Sequence, residues 1–198
     1  MGDAEAQQPR ATLSGEQVPD AELARLAQAG EGDAFNELIQ RHHRTVYRLC
    51  WVLLTDRSDA EDATQETFVR TYQSLERYDP DRTFGPWLRG IAVKVCLQHL
   101  RRRGRRNYRQ TSLEARPMEL AAPENPEPSA LADRAVKALA ELSDTYRLPL
   151  ALFYLREASV ADVAAALDIS PGAARVRLHR GREKLREMLT GDTNDGEA

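Results

Sequence analysis

From Asp20 to Leu189 the apolar residues recur at three- and four-residue spacings, the period of helices packed on one face, and no stretch reads as a run of strands. Asp20 to Ala29 predicts a short helix that breaks at Gly30 and Gly32. A longer helix follows from Asp33, its expected cap; Phe35, Leu38, Ile39, His42, Val46, Leu49 and Leu53 keep the period until about Thr55. Ser58 with Glu61 three positions on has the form of a capping box. It opens a helix through Ala63, Thr67, Phe68, Thr71, Tyr72 and Leu75 that stops before Tyr78-Asp79-Pro80-Asp81. Pro86 starts a fourth helix, with Trp87, Leu88, Ile91, Ala92, Val95 and Leu100 as packing residues, which runs into the basic stretch RRRGRR.

The pattern then lapses. Residues 107–128 contain Pro117, Pro123, Pro126 and Pro128 with few large apolar residues, the composition of an extended tether and hence of a domain boundary. Beyond it, 129–142 (Leu131, Ala135, Val136, Leu139, Leu142) and 143–156 (Tyr146, Leu150, Phe153, Tyr154) predict amphipathic helices, with Pro149 expected to kink the second or displace its start. The fold class expected is all-α: two small helical domains joined by a flexible linker. Their bounds are 20–106 and 129–189, the linker is 107–128, and acidic or polar tails cover 1–19 and 190–198.

The end of the second domain carries the most information. Ser159 is placed to cap a short helix whose Val160, Val163, Ala164 and Leu167 share one face. After Leu167-Asp168-Ile169-Ser170 a second helix must begin, with Ser170 as N-cap and Pro171 at its first position. Ala174, Leu178, Gly181, Leu185 and Met188 or Leu189 form its buried stripe, which leaves Arg175, Arg177, Arg180, Arg182, Lys184 and Arg186 on the other faces. Small residues at its start (Gly172, Ala173, Ala174) permit close approach to a groove. A cationic helix alone fits a solvated face of any bundle. The short helix, tight turn and proline-started second helix together read as a helix-turn-helix whose second helix enters DNA.

A formal net charge of −3 from 28 Lys and Arg against 31 Asp and Glu looks wrong for a DNA binder until the charges are located. Residues 1–37 and the last stretch of the chain are acidic, while 99–116 and 175–186 are strongly basic, so the total conceals a segregated pattern. Apolar runs such as Leu49 to Leu54 are too short to span a bilayer, and no basic start precedes an apolar core; the expectation is a cytoplasmic protein without membrane insertion. Cys50 and Cys96 sit at apolar helical positions outside any metal-site spacing, and His42 and His43 lie mid-helix, so no metal site is expected. No phosphate-cradling glycine loop and no Ser/His/Asp or Cys/His set is present, so no catalytic residue, no cofactor and no enzyme activity are expected. Glu61, Asp62 and Glu66 as ligands of a hydrolytic metal fail on spacing: only Asp62 and Glu66 share a face, and no His is near in sequence.

The order of these pieces resembles the extracytoplasmic-function (ECF) sigma factors, small two-domain members of the sigma-70 family that give bacterial RNA polymerase its promoter specificity. DAFNELIQRHHRTVYRLCWVLLTDRSDAEDATQETFVRTYQSLERYDPDRTFGPWLRGIAVKVCLQHLRRR carries the likeness to sigma region 2, and ALAELSDTYRLPLALFYLREASVADVAAALDISPGAARVRLHRGREKL to region 4. The resemblance implies docking of the 59–68 segment on core polymerase, through Asp59, Glu61, Asp62, Gln65, Glu66 and Phe68. It implies that the Tyr78 to Phe84 loop, with Tyr78, Asp79 and Arg82, holds a flipped promoter base. The following helix, through Lys94, Gln98, Arg101, Arg102, Arg103, Arg105 and Arg106, then contacts the minus-ten element. Arg175, Arg177, His179 and Arg180 match positions that read the minus-thirty-five element in the major groove, and Ser170, Gly172, Ala173 and Val176 complete that set. Lys94 and Gln98 stand where many members have Asn and Asp or Asn, and Ala173 and Val176 replace hydroxyl-bearing residues; Val176 offers an apolar contact, as to a thymine methyl, where a hydroxyl offers a hydrogen bond.

In that scheme the basic run at 101–106 neutralises phosphates, melting proceeds by capture of an unstacked base, and Trp87 packs rather than stacks on DNA. The implied partners are core RNA polymerase, promoter DNA as duplex and melted strand, and an anti-sigma factor. The rival reading is a dimeric helix-turn-helix regulator that binds a palindrome without polymerase, with residues 1–106 as a sensing module. It leaves the acidic DAEDATQE helix and the basic helix end without a task.

Overall fold

The computed structural model describes residues 18–107 and 130–191; the expected linker and most of both expected tails lie outside the described residues. The described chain is all-α, in the order α1 (Asp20–Gln28), α2 (Gly32–Leu54), α3 (Arg57–Ser74), a 3-10 turn (Leu75–Arg77), α4 (Phe84–Asn107), α5 (Ala130–Glu141), α6 (Asp144–Tyr154), α7 (Val160–Leu167) and α8 (Pro171–Gly191). These form two helical units, α1–α4 and α5–α8.

Two helix starts differ from the sequence expectation. Asp33 lies inside the first turn of α2; Glu31, in extended conformation, precedes the helix without a side-chain cap. The Ser58 capping box does not form, because Asp56 already accepts from the Asp59 N–H at 2.9 Å and starts α3 at Arg57. An aspartate one residue ahead of the helix satisfies the same orphan donors. Pro86 falls within the first turn of α4, which begins at Phe84, and its missing N–H costs nothing there. Pro149 neither breaks α6 nor moves its start: it lies buried within a helix that runs from Asp144 to Tyr154. Proline removes the donor for the carbonyl of Thr145, an exposed residue where water can serve instead.

Around the turn of the helix-turn-helix the sequence expectation holds in detail. Ser159 accepts from the Asp162 N–H at 3.1 Å while Asp162 accepts from the Ser159 N–H at 3.1 Å, a reciprocal capping box. Asp168 adopts a left-handed φ of 54° to end α7, and Ser170 Oγ accepts from the Ala173 N–H at 3.1 Å to start α8.

Helix α2 is the hub. It packs on α1, α3 and α4, and on its other side on α5 and α6. Leu38, Val46, Leu49, Leu53, Leu88 and Val95 fill the first core and Leu150, Leu152, Val163, Ala174 and Leu178 the second. Asp20 fastens α1 to α2 through Arg41 at 3.1 Å and His42 at 2.7 Å, and Gln28 Nε2 donates to the Leu75 and Tyr78 carbonyls at 2.8 and 2.9 Å. That last pair fixes the chain leaving α3 before it enters α4.

In the second unit α8 crosses α6 closely at Gly181, where a Cβ would lie 2.9 Å from Leu150 Cδ1 and 3.3 Å from Tyr146 Cβ. Leu150 is fully buried and has nowhere to go. Gly181→Ala therefore gains about 1 kcal/mol of helix propensity but overpacks the core at about 1–3 kcal/mol. A net loss, read as a lower urea midpoint with an unchanged slope, is the expected outcome.

Candidate functional surfaces

Helix α3 turns Ala60, Ala63, Thr64, Thr67, Phe68 and Thr71 inward and leaves Glu61, Asp62 and Gln65 exposed, an acidic outer face that continues into exposed Val69 and Tyr72. The candidate docking residues do not behave alike. Asp62 and Gln65 are exposed, Glu61 pairs with Arg57 at 2.8 Å one turn earlier, and Asp59 lies 3.9 Å from Arg103 of α4. Phe68 is a correction: it is buried and stacks on His43 at a ring separation of 6.2 Å, so it supports the face from beneath. Glu66 is the other departure. It accepts from His99 Nε2 at 2.8 Å and from Arg70, whose guanidinium also donates to Gln98 Oε1 at 2.7 Å. The His99 hydrogen bond, aided by the Arg70 charge, holds the Glu66 carboxyl below the usual carboxylate range.

This α3–α4 network matters because Gln98 belongs to the second candidate surface. On α4, Ile91, Lys94, Gln98 and Arg101 recur at helical spacing on one face, with Lys94, Arg101 and Arg102 exposed. Gln98 is held by Arg70, which donates to its Oε1 and so fixes the amide oxygen toward α3. Arg103 turns back, donating to the Leu54 carbonyl at 3.4 Å. Arg105 and Arg106 continue the helix beyond the residues whose side chains are described.

Tyr78 is a second correction. Its ring is 3 % exposed and packs edge-on against Phe84 and at 4.7 Å from Trp87, and its hydroxyl donates to the Arg82 carbonyl. The ring closes the loop from inside. Trp87 packs in the same cluster, 5.6 Å from Phe84. The loop rim is polar: Asp79 accepts from the Asp81 N–H at 3.1 Å and lies 3.6 Å from Arg82, both side chains being exposed.

Across α8 the cations divide into two groups. Gly172, Arg175, Val176 and His179 lie along an exposed strip that starts beside Ser170. Arg177 and Arg180 line a cleft of about 300 Å³ with Ala173, Val176, Thr145 and Tyr146. Arg182 folds back instead, donating to the Tyr154 hydroxyl at 2.8 Å with its guanidinium over Phe153, and Lys184 lies over Tyr146. Those two contacts brace the domain, and cation–π contacts of this kind are worth about 0.5–1 kcal/mol at exposed sites.

Sequence reasoning passed over Arg70 and His99. The Glu66–Arg70 spacing of four was legible, but the His99 and Gln98 contacts join residues far apart in the chain. Cys50 and Cys96 are buried core residues, as expected; a hydrogen bond to Cys50 and burial push the Cys96 thiol above its usual range. Among the described residues no cluster of three or more His, Cys, Asp or Glu could hold a metal ion, and no helix is long and apolar enough to cross a membrane.

Comparison with known proteins gives two family matches: sigma-70 region 2 over residues 38–106 and sigma-70 region 4 over 132–185. The chain is 31 % identical over 170 residues to the ECF RNA polymerase sigma factor SigW of Bacillus subtilis, covering 81 % of this chain and 91 % of that one. It is 35 % identical over 160 residues to the RNA polymerase sigma factor CarQ of Myxococcus xanthus, again covering 81 % and 91 %. Against SigE of Mycolicibacterium smegmatis, also an ECF sigma factor, it is 35 % identical over 170 residues and spans 64 % of that protein's length. Among solved structures it is similar to CnrH bound to the cytosolic domain of CnrY (TM-score 0.52, 27 % identity, 87 % of this chain and 98 % of that one). RpoE of Bartonella quintana, bound to the anti-sigma factor NepR, shares the fold at a TM-score of 0.58 and 20 % identity, over 79 % and 96 % of the two chains.

The Glu66 network has a pH signature. A carboxylate whose folded pKa is depressed stabilises the native state above its unfolded pKa, about 4.3, and loses that contribution as pH falls through the folded value. Glu66→Gln should therefore be less stable than the parent near neutrality, and the difference should close below about pH 4. Urea unfolding across pH tests this; a difference that does not change with pH would count against the carboxylate contacts.

Proposed function

Because the chain belongs to the ECF sigma factors of the sigma-70 family, we propose that its acidic α3 face docks on core RNA polymerase while the faces of α4 and α8 take the minus-ten and minus-thirty-five promoter elements. The observation that carries this reading is the segregation of charge on one helical scaffold: exposed Glu61, Asp62 and Gln65 on α3, exposed Lys94, Arg101 and Arg102 on α4, and exposed Arg175, Val176, His179 and Arg180 on α8. One acidic surface and two basic ones suit a protein that binds another protein and two DNA segments at once. Paired matches to regions 2 and 4 do not favour the dimeric regulator.

Charge and exposure support a division of labour among these faces. Phosphate contacts position the protein and base contacts specify sequence. Arg101 and Arg102, with Arg105 and Arg106 beyond them, supply the positioning charge near the melted region, and their contribution falls steeply with salt. Gln98, locked by Arg70, and Lys94 present donors to base edges of the minus-ten element. A flipped base meets the polar rim of Asp79 and Arg82, while buried Tyr78 and partly buried Trp87 support the loop from beneath. On α8, Arg175 and His179 are the base-reading side chains; Val176, 51 % exposed, provides the apolar contact. Promoter melting needs no bond to be made or broken by the protein, and we assign it no enzymatic role. We place its action in the cytoplasm, with an anti-sigma factor of its own as a further partner.

Arg175→Ala should weaken binding of the minus-thirty-five duplex by about 1–3 kcal/mol, and Arg177→Ala by less, since Arg177 sits partly in the cleft. Unchanged promoter-specific transcription in both would remove the reading assigned to α8. Asp62→Lys is the clean test of docking, because Asp62 is exposed whereas reversing Glu66 would also break its bonds to His99 and Arg70. Loss of co-purification with core polymerase, with helical content unchanged, is expected; retained binding would move the docking face elsewhere. The assignment as a whole is checked by run-off transcription from genomic DNA with core polymerase: starts that depend on the protein and share two spaced upstream motifs support it, and their absence overturns it.

A further inference from the structure

Gln98 stands where many ECF sigma factors carry Asp or Asn, and what a glutamine reads depends on which way its amide is turned. Arg70 of α3 settles that. Its Nη2 lies 2.7 Å from Gln98 Oε1, and a guanidinium carries only donors, so the atom it meets has to be the amide oxygen and not the nitrogen. The same Nη2 donates to Glu66 Oε1, so both of its N–H bonds are engaged. Glu66 in turn accepts from His99 Nε2 at 2.8 Å on its other oxygen. His99 is the chain neighbour of Gln98 on α4, so the four side chains close a ring between two helices already packed together. Gln98 Nε2 bonds to no acceptor among the described residues and is not buried, so its two N–H groups are open to a partner.

We propose that Arg70 is a positioning residue for promoter choice: by holding the Gln98 oxygen it turns a side chain suited to adenine into a donor-only reader that selects guanine at one base pair of the minus-ten element. The inference rests on α4 being the minus-ten face and names the base that this face prefers. An unconstrained glutamine pairs bidentately with adenine, accepting from N6 while donating to N7. Here a second donor brought to Oε1 meets the charge of the guanidinium already bonded to it, so adenine keeps one of the two bonds. Guanine offers N7 and O6, two acceptors for the two N–H groups of Nε2, whereas cytosine offers a donor and is refused. Lys94 one turn before Gln98 and Arg101 one turn after it, on the same face, are also donors without an acceptor, which makes the strip uniform.

The ring is not needed to hold α3 on α4. Those helices already share an apolar core that buries Ala63 and Thr67 of one and Val95 and Cys96 of the other. Arg70 also has a partner on its own helix in Glu66, four residues earlier. What the reach to Gln98 adds is the ordering of a long, rotamer-rich side chain before DNA arrives, which removes that entropy cost from the encounter and fixes the chemistry it presents.

The test is transcription by core polymerase with the full chain, on promoters in which each base pair of the mapped minus-ten element is replaced in turn. The parent should favour guanine over adenine about fivefold or more at one position, and Gln98→Ala should level that position alone. Arg70→Met should bring adenine to within about twofold of guanine there and leave the other positions as they were. Equal loss from every promoter would mean that Arg70 only supports the fold, and overturns the proposal. Gln98→Glu keeps an acceptor for Arg70 but presents no donor, so its preference should move to cytosine, whose N4 amine donates. That variant decides the question if Arg70→Met does not fold, and an unchanged base preference in it overturns the proposal. In the free chain the Gln98 side-chain amide signal, identified by its loss in Gln98→Ala, should move and sharpen in NMR spectra of Arg70→Met; a signal that does not respond removes the contact and the proposal with it. A parent without promoter-specific transcription fails the sigma-factor reading itself, whereas a parent that transcribes but treats guanine and adenine alike at every position fails this inference alone.

Discussion

Helix α2 is enclosed from two directions, and most of the structure is arranged around that fact. Helix α2 packs on α1, α3 and α4 and also on α5 and α6, and Leu49, Cys50, Trp51, Val52, Leu53 and Leu54 at its end are all buried. An amphipathic helix ordinarily buries one stripe and solvates the rest. Here the stripe widens to the full circumference over the last turns, which is why the run CWVLL can sit inside a small protein without spanning anything. The middle of the same helix is anchored by Asp20 through Arg41 and His42, so α2 positions α1, α3 and α4 from a single axis.

The polar contacts are as economical as the apolar ones. Arg70 and His99 converge on Glu66, and Arg70 continues to Gln98, so one network ties α3 to α4. On α8, Arg182 and Lys184 lie over the rings of Phe153, Tyr154 and Tyr146, away from the first two turns of the helix.

Much of this was legible from the chain alone. The helix order, the caps at Ser159 and Ser170, the buried stripe of α8 and the two-part organisation all follow from local period and capping chemistry, which act within a few residues. Where expectation and structure part, a competing neighbour is responsible. Asp56 pre-empts Ser58, and the first turn of α2 forms ahead of Asp33. Phe68 and Tyr78, candidate contacts by resemblance, are buried because their rings fill gaps beside His43, Phe84 and Trp87, which no local pattern reveals. Glu157 and Arg89 are 68 residues apart, and nothing in either segment points to the other.

The pairing of the two cysteines gives the first unit a built-in reporter. Cys50 and Cys96 are the chain's only thiols, both are wholly buried, and α5–α8 contain none. A thiol reagent can reach them only when α2 and α4 separate, so its labelling rate follows the opening of the first helical unit and is blind to fraying of the second. The molecule therefore carries a clock for local unfolding that needs no engineered label, and its pace with and without a bound partner would measure how far that partner's grip extends into the core.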